Sequence, residues 1–531
     1  MARIVVIRPL ILGTILAFLS GCSPGWRASF VTKQWMVGVT EIPSPTKVFL
    51  IDSSVILFTN GFRVQDGAVV GTGRRYSLTA VGPVSGTWWV PLDSVAAATY
   101  YPDIDPSPGR QVAGGMLALF GTAATSVAIY CAACPKCCFG SCPTVYTLDG
   151  ANYTFETELF SYSVSRLMQE EDLDVLAGRP DDQGSYVVRV TNEAMETHCI
   201  DRFSLLEVRH PPGTRILPTP TGSLIAVSDV VPPDRATNRI GVDLLPLLSR
   251  QDRQSYRSGV GMQDRRAGEI PADWIDLTLA APRGDTKAAL VLLFRNTLLS
   301  TVLFYDVVLA SQGIEAVSWT ERLNTDLPYG RAFSSLYRAL SGIHVEMEAE
   351  GEWKEIALIR DPGPIGWKEV AVEIPSREGT EIRLRLRFFP DNFMIDRAGF
   401  DLSLAGTDGI SLAPVAPVRV VDNEGVSRPE IPALLQSEDE RFLVTNPGES
   451  YRFFYQIPPS PGHETTLAIA SAGYYTEWVR GDWLRAPRGD RGFDLLDIDH
   501  TLDALASAWR SSRDEVEEEF LHSRIPVREK P

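Results

Sequence analysis

The sequence predicts a mainly β protein with some α-helix: a small N-terminal β-domain, an apolar helical segment, antiparallel sandwich-like domains and a C-terminal helix. Three observations predict it. Short runs in which apolar and polar residues alternate, such as IHVEMEAE from Ile343 and EIRLRLRFF from Glu381, put one strand face in a core and the other in water. Hairpin-type pairs at Asn60-Gly61, Asp66-Gly67 and Asp149-Gly150 separate several such runs. At 531 residues the chain is too long for one core, since domains hold roughly 100 to 200 residues.

Composition narrows the class further. With 44% apolar and 22% charged residues the chain is neither collagen-like nor disordered. A net charge of -17, with no long basic run, argues against nucleic acid as a partner.

Each element follows in order. Residues 1–21 carry Arg3 and Arg8 and then an uncharged stretch from Leu10 to Gly21, the n-region and h-region of an export signal. Residues 22–102 form a small β-domain, sheet or barrel, closed by the proline-rich linker after Tyr101. Residues 103–143 hold that linker, the uncharged segment 111–135 between Arg110 and Lys136, and a cysteine cluster. The uncharged segment is long enough to span a bilayer and also poor enough in Leu and Ile to lie buried in protein, so both readings stay open. Residues 144–270 read as an α+β domain, with a hairpin at Asp149-Gly150, a helix over SVSRLMQEEDLDVLAG from Ser163 to Gly178, and strands YVVRVTNE and THCIDRFSLLEVRH. A boundary near Pro271 opens a sandwich-like domain over 271–408, with a helix from Tyr329 to Ser341 before four strong strands. A β-segment at 409–490 and a terminal helix within 491–531 follow, the helix on Leu496, Leu502, Leu505, Ala506, Trp509, Val516 and Phe520.

Two stretches resemble known families. Leu19-Ser20-Gly21-Cys22, after the short charged start, matches the lipobox of bacterial lipoprotein precursors. The resemblance implies cleavage before Cys22 and acylation of its thiol and amino group, giving a membrane-anchored envelope protein. Ser23, in place of an aspartate, points to the outer membrane. Further on, Trp353-Lys354-Glu355-Ile356, GPIGWKEVAVEIP and EIRLRLRFFPDNFMIDRAGFDL are similar to the later strands of a galactose-binding-like β-sandwich.

The densest chemical signal is Cys131, Cys134, Cys137, Cys138 and Cys142. Outside the cytoplasm, with Cys199 as a sixth cysteine, these are expected to form two or three disulfides. Iron–sulfur and zinc fit the spacing less well, and no cofactor or metal is expected. The six histidines are scattered, and the chain has no G-x-S-x-G elbow, phosphate loop or H-E-x-x-H pair, so no catalytic residue is assigned. Aromatics at Tyr474, Tyr475, Trp478 and Trp483, with Trp88-Trp89, offer a sugar-stacking or partner surface, although neighbouring strand residues face opposite ways. The expectation is therefore a lipid-anchored, non-catalytic binding or scaffolding protein of the envelope, held by Cys22, with 111–135 as a second candidate attachment and an envelope protein or glycan as partner. An exported polysaccharide-active enzyme, or a redox or metal-handling protein using Cys131 to Cys142, is the alternative.

Overall fold

The structure is a computed structural model and describes residues 29–100 and 142–522, apart from 33–39, 43–45, 51–53, 59, 77–83, 151, 195, 259–260, 263, 281–286, 361, 376–380, 404–408, 440, 446–448, 459–463 and 478–492. The lipobox, the segment 111–135 and Cys131 to Cys138 lie outside the described residues. Among the described residues no helix is long and apolar enough to cross a membrane. The chain is mainly β, with several antiparallel sheets and a C-terminal helix, and it divides into two compact units.

The first unit is one sheet. Its strands are β1 (Ser29–Thr32), β2 (Glu41–Ile42), β3 (Thr46–Leu50), β4 (Val55–Phe58), β5 (Phe62–Gln65), β6 (Ala68–Tyr76), β7 (Val84–Pro91) and β8 (Val95–Tyr100), in the order β1-β8-β3-β4-β6-β5-β2 with β7 also on β6. Asp66 and Gly67 both have positive φ, 50° and 72°, and join β5 to β6 with Gln65 opposite Ala68. That is the two-residue turn whose twist matches a hairpin. Val48, Ile56, Phe58, Phe62, Val69 and Val90 make the core. Trp88 packs against it while Trp89 is 60% exposed, as strand alternation requires.

The second unit contains two sandwiches of the same connectivity. Its first strands are β9 (Thr144–Asp149), β10 (Asn152–Glu158), β11 (Glu170–Leu176), β12 (Ser185–Thr191) and β13 (Glu196–His210), followed by the hairpin β14 (Arg215–Pro218) and β15 (Leu224–Val227). Then come β16 (Val230–Val231), β17 (Arg235–Asn238), helix α1 (Leu245–Leu248), β18 (Asp273–Ala280) and β19 (Ala288–Asn296). A helical cap follows: α2 (Leu299–Val302) running into π-helical turns over Leu303–Leu309, α3 (Ala316–Thr325) and α4 (Leu327–Ser341). After it run β20 (Ile343–Ala349), β21 (Glu352–Ile359), β22 (Lys368–Ile374), β23 (Glu381–Phe388) and β24 (Phe393–Asp401). The chain closes with β25 (Ser411–Val415), β26 (Arg419–Asp422), α5 (Ile431–Leu434), β27 (Leu443–Thr445), β28 (Ser450–Gln456), β29 (Glu464–Glu477) and α6 (Ile498–His522).

One sandwich is contiguous, with sheets β21-β20-β23-β18-β17 and β22-β19-β24-β16. The other is split across the chain, with sheets β10-β9-β12-β28-β26 and β11-β29-β13-β25, the latter with β27 also on β13, where the contiguous sandwich has the single bridge Tyr256–Ile395. Strand for strand these are the same two sheets, entered at a different point. In the contiguous sandwich β16 to β19 precede β20 to β24. In the split one the equivalents of β20 to β24 come first, as β9 to β13, and those of β16 to β19 come last, as β25, β26, β28 and β29. The chain thus carries half-units in the order second, first, second, first, and its sheets run across Pro271, where β17 pairs with β18.

Local features repeat with the strands. Ile200-Asp201-Arg202 in β13 and Ile395-Asp396-Arg397 in β24 both hold a β-bulge that leaves the aspartate unpaired in the ladder. A second bulge falls at Glu156 in β10 and at the corresponding Ile356 in β21. After β17, Asn238 Oδ1 accepts the amides of Ile240 (3.2 Å) and Val242 (2.9 Å) in a turn closed by Gly241 at φ 82°. After β26, Asp422 Oδ1 accepts those of Glu424 (3.0 Å) and Val426 (2.9 Å), with Gly425 also at φ 82°. Each turn leads to a one-turn helix with proline near its start.

The hairpin β14–β15 lies between the β22-β19-β24-β16 sheet and the β11-β29-β13-β25 sheet. Ile216, Leu224 and Ala226 face Leu173, Val175, Val208, Ala468 and Ala470 of the split sandwich. Leu217, Ile225 and Val227 face Ala289, Val291 and Ala371 of the contiguous one. Small residues line both sheets there because the layer between them is only a hairpin thick. This is why β19 is buried along its whole length, and why most of β29 is.

Two sequence expectations are corrected. Ser163 to Gly178 is not a helix: after a short 3-10 turn at Arg166–Met168, β11 pairs residue for residue with β29 from Glu170 to Leu176. The run reads equally as helix or strand, and pairing on a central strand decides it. In α6, Leu502, Leu505, Ala506 and Trp509 are buried as expected, but Leu496 precedes the helix and is 95% exposed. The helix around 329–341 is present as α4, capped by Asp326, which accepts the Tyr329 amide at 3.3 Å.

Candidate functional site

At one end of the split sandwich the strands deliver ionisable groups into the interior. Glu158, Glu196, His198, Glu477 and Cys142 are each under 4% exposed. His198 Nε2 lies 2.6 Å from Glu196 Oε1, which also accepts the Cys142 amide. The Cys142 thiol donates to Glu158 at 3.5 Å, and the Ile365 amide reaches the other Glu158 oxygen at 3.3 Å. From the helical cap, the Tyr305 hydroxyl donates to Glu477 at 2.7 Å. Burial pushes the Tyr475 phenol well above its ordinary pKa, reinforced by Tyr337, Tyr305, Cys142 and Glu196 around it. Charge-assisted bonds of this kind fasten the cap and the 363–365 loop to the sandwich. Closed to solvent, the cluster offers no surface to a ligand. Among the described residues no three His, Cys, Asp or Glu side chains are placed to hold a metal ion.

The expected role of Cys199 in a disulfide is not realised. Its thiol is fully buried beside Tyr474 and burial raises its pKa to about 12, which makes it unreactive. Cys22, Cys131, Cys134, Cys137 and Cys138 lie outside the described residues, as do Trp478 and Trp483. Tyr474 and Tyr475 are not a binding surface: they are 1% and 2% exposed. Tyr474 packs edge-on against Phe442, and the Tyr475 hydroxyl donates to the Ser161 carbonyl at 2.9 Å. Alternation sends them to opposite sides, but β29 is a central strand covered on both.

The solvent side of the contiguous five-stranded sheet is organised around an arginine. On β23, Leu384, Leu386 and Phe388 point inward, so Arg383, Arg385 and Arg387 point out. Arg385 binds Asp276 through two bonds, 2.7 and 3.0 Å, and its guanidinium lies 4.7 Å from the Trp274 ring and 4.2 Å from that of Trp353. Arg387 pairs with Glu346 at 2.7 Å and Arg383 with Glu348. The face is a flat, internally neutralised ladder. Sequence reading had its signal in the alternation of I-R-L-R-L-R-F but passed it over because the cross-strand partners are about 30 to 110 residues away.

Where the split sandwich meets the contiguous one, Lys368 of β22 reaches Asp174 (2.9 Å) and Asp172 (3.5 Å) of β11. Burial opposes its charge and the two carboxylates more than offset that, so its pKa is raised. Nearby, Tyr162, Met168, Tyr337, Ser341 and Leu358 line a cavity of about 20 Å³, room for about one water. The two arginines at its rim, Arg338 and Arg360, both hold Glu170.

No protein-family model matches the chain, and no curated protein sequence does. Among solved structures, an allantoicase is 10% identical with a TM-score of 0.18, over 44% of this chain and 83% of its own. An uncharacterised Listeria monocytogenes protein solved with glucose, magnesium and calcium is 7% identical with a TM-score of 0.15, over 66% of this chain and 30% of its own. At such TM-scores neither likeness carries an argument.

Proposed function

We propose that the protein is a lipid-anchored component of the bacterial cell envelope, on the outer membrane, that binds or scaffolds a surface glycan or envelope protein. One observation carries this reading: Leu19-Ser20-Gly21-Cys22 follows two arginines and a short apolar run, the arrangement in which a cysteine accepts lipid. Support for binding over catalysis comes from the interior, where the buried set of ionisable groups around Glu196 and His198 is sealed beneath the helical cap. The stacked sandwiches leave their five-stranded faces outward, the broad rigid kind of surface on which recognition is built. The finer assignment, a galactose-binding-like sandwich duplicated within the chain, belongs to the same proposal.

The test is replacement of Cys22 by Ala in the full chain. The wild type should partition into detergent and the variant into the aqueous phase. Equal partitioning of the two overturns the anchor. Binding is tested beside it with a glycan array and a broad hydrolase screen of the mature protein. Turnover of a polysaccharide or ester, lost when one Asp, Glu or Ser is replaced, would overturn the non-catalytic part.

A further inference from the structure

We propose that the outward five-stranded face of the split sandwich is a docking surface for an acidic polysaccharide, held through Arg189, Arg452 and Arg419. The proposal rests on the envelope-binding reading for its choice of polymer, and on the following geometry for the rest.

Arg189 on β12 and Arg452 on β28 are directly opposite each other in register, and Arg419 on β26 is opposite Phe454, two residues along from Arg452 on the same face. The three arginines thus stand on three adjacent strands, neighbouring strands being about 5 Å apart, with Arg419 displaced two residues along the sheet. Among the described residues none of them is in an ion pair. Arg189 instead lies 5.3 Å from the Tyr153 ring, Arg419 4.4 Å from the Phe454 ring, and Arg189 reaches the Ser450 hydroxyl at 3.5 Å. The carboxylate at the edge of the face, Glu193, is engaged by Thr191 (2.8 Å) and Tyr146 (3.2 Å).

Like charges directly opposite on neighbouring strands destabilise a sheet. The equivalent positions of the contiguous sandwich show the neutralised alternative on the same frame: Arg385, the counterpart of Arg189, lies against Trp353, the counterpart of Tyr153, but faces Asp276 where Arg189 faces Arg452. The aromatic support is kept and the counter-charge is replaced by a second arginine. In a chain of net charge -17, three unneutralised guanidinium groups on one face are a local reversal of sign. Ring contacts support Arg189 and Arg419 without neutralising them, and the guanidinium fork is the group that grips carboxylate, phosphate or sulfate bidentately. Anionic groups recurring along a sugar chain would meet the row one after another.

The experiment uses the full-length lipoprotein in detergent, with immobilised polygalacturonate and heparin as probes, dextran as the neutral control and anionic lipid vesicles as the competing surface. Expected is binding to at least one acidic polymer but not to dextran, weakening with salt as screening requires. The double variant Arg189→Gln, Arg452→Gln should bind about tenfold or more weakly, and its melting temperature should hold or rise as the like-charge contact is relieved. Arg266→Gln with Arg331→Gln, the same change in charge at exposed positions elsewhere, should bind as wild type. The proposal is overturned if wild type binds neither polymer, if the charge-matched control loses binding equally, if vesicles are bound in preference, or if the melting temperature of the double variant falls together with binding. Each of those results leaves the Cys22 partitioning unchanged, so failure of the face is distinguishable from failure of the envelope reading.

Discussion

In the contiguous sandwich Arg385 faces Asp276 across neighbouring strands; at the matching place in the split sandwich Arg189 faces Arg452. Elsewhere the two agree closely. Both bend the same strand at an aspartate, Asp396 or Asp201, whose carboxylate accepts backbone amides from the loop after the one-turn helix: those of Arg253 and Asp252 in one case, and that of Asp439 in the other. Both send the next arginine across the four-stranded sheet to a glutamate, Arg397 to Glu369 and Arg202 to Glu171. What the frame needs is retained in both copies, and the outward faces are where they differ: Arg383, Arg385 and Arg387 of the one stand where Val187, Arg189 and Thr191 stand in the other, and Arg189 alone faces an arginine. That contrast separates residues that hold the fold from residues available for recognition, using two copies within one chain.

The contrast can be broken most forcefully at the junction of the two sandwiches. Lys368→Met would leave the buried Asp174, and the half-buried Asp172 beside it, without their cation, and should cost about 3–5 kcal/mol in denaturant unfolding. A loss below about 1 kcal/mol would mean that the ion pair does not bind the two sandwiches together. Next in size, Asp201→Ala and Asp396→Ala should each cost about 1–3 kcal/mol by orphaning the amides they cap, and by similar amounts. A large loss at one site and none at the other would dissolve the equivalence of the bulges. A smaller change of opposite sign is expected from Arg452→Asp, which gives the split sandwich the pair that the contiguous one has and should raise stability by about 0.5–1 kcal/mol.

A separate effect concerns pH and the helical cap. Burial raises the Glu321 carboxyl to about 7, with Arg166 opposing. An acid whose pKa is higher folded than unfolded is protonated more in the native state, so stability falls as pH rises from about 4.5 to about 7 and then levels off. Glu321→Gln should flatten that part of the stability profile. An unchanged slope between pH 4.5 and 7 would show that Glu321 ionises freely.

Much of this frame was legible in the sequence. Strict alternation located β20 and β23, Asp149-Gly150 the β9–β10 hairpin, and the spacing of Leu502, Leu505 and Trp509 the terminal helix. The duplication was not legible, because a search for repeats looks for the same order twice, whereas here the half-units alternate and little beyond Ile-Asp-Arg and the Gly-Val of the two turns is shared as sequence. Tyr474 and Tyr475 were expected at a surface because strand alternation exposes one of two neighbours, a rule that fails once a hairpin and a helical cap cover both sides of a central strand. The arginine faces escaped notice because their meaning lies in the residue across the sheet, Asp276 or Arg452, which no local window contains.

One frame carries opposite charge logic on its two outward faces, Arg385 against Asp276 on one and Arg189 against Arg452 on the other. Two double-mutant cycles on the full-length protein, one at Arg385 and Asp276 and one at Arg189 and Arg452, measure this directly through unfolding free energies. The account predicts couplings of opposite sign, attractive by about 0.5–1 kcal/mol for the first pair and repulsive by a comparable amount for the second. Couplings of the same sign would contradict it.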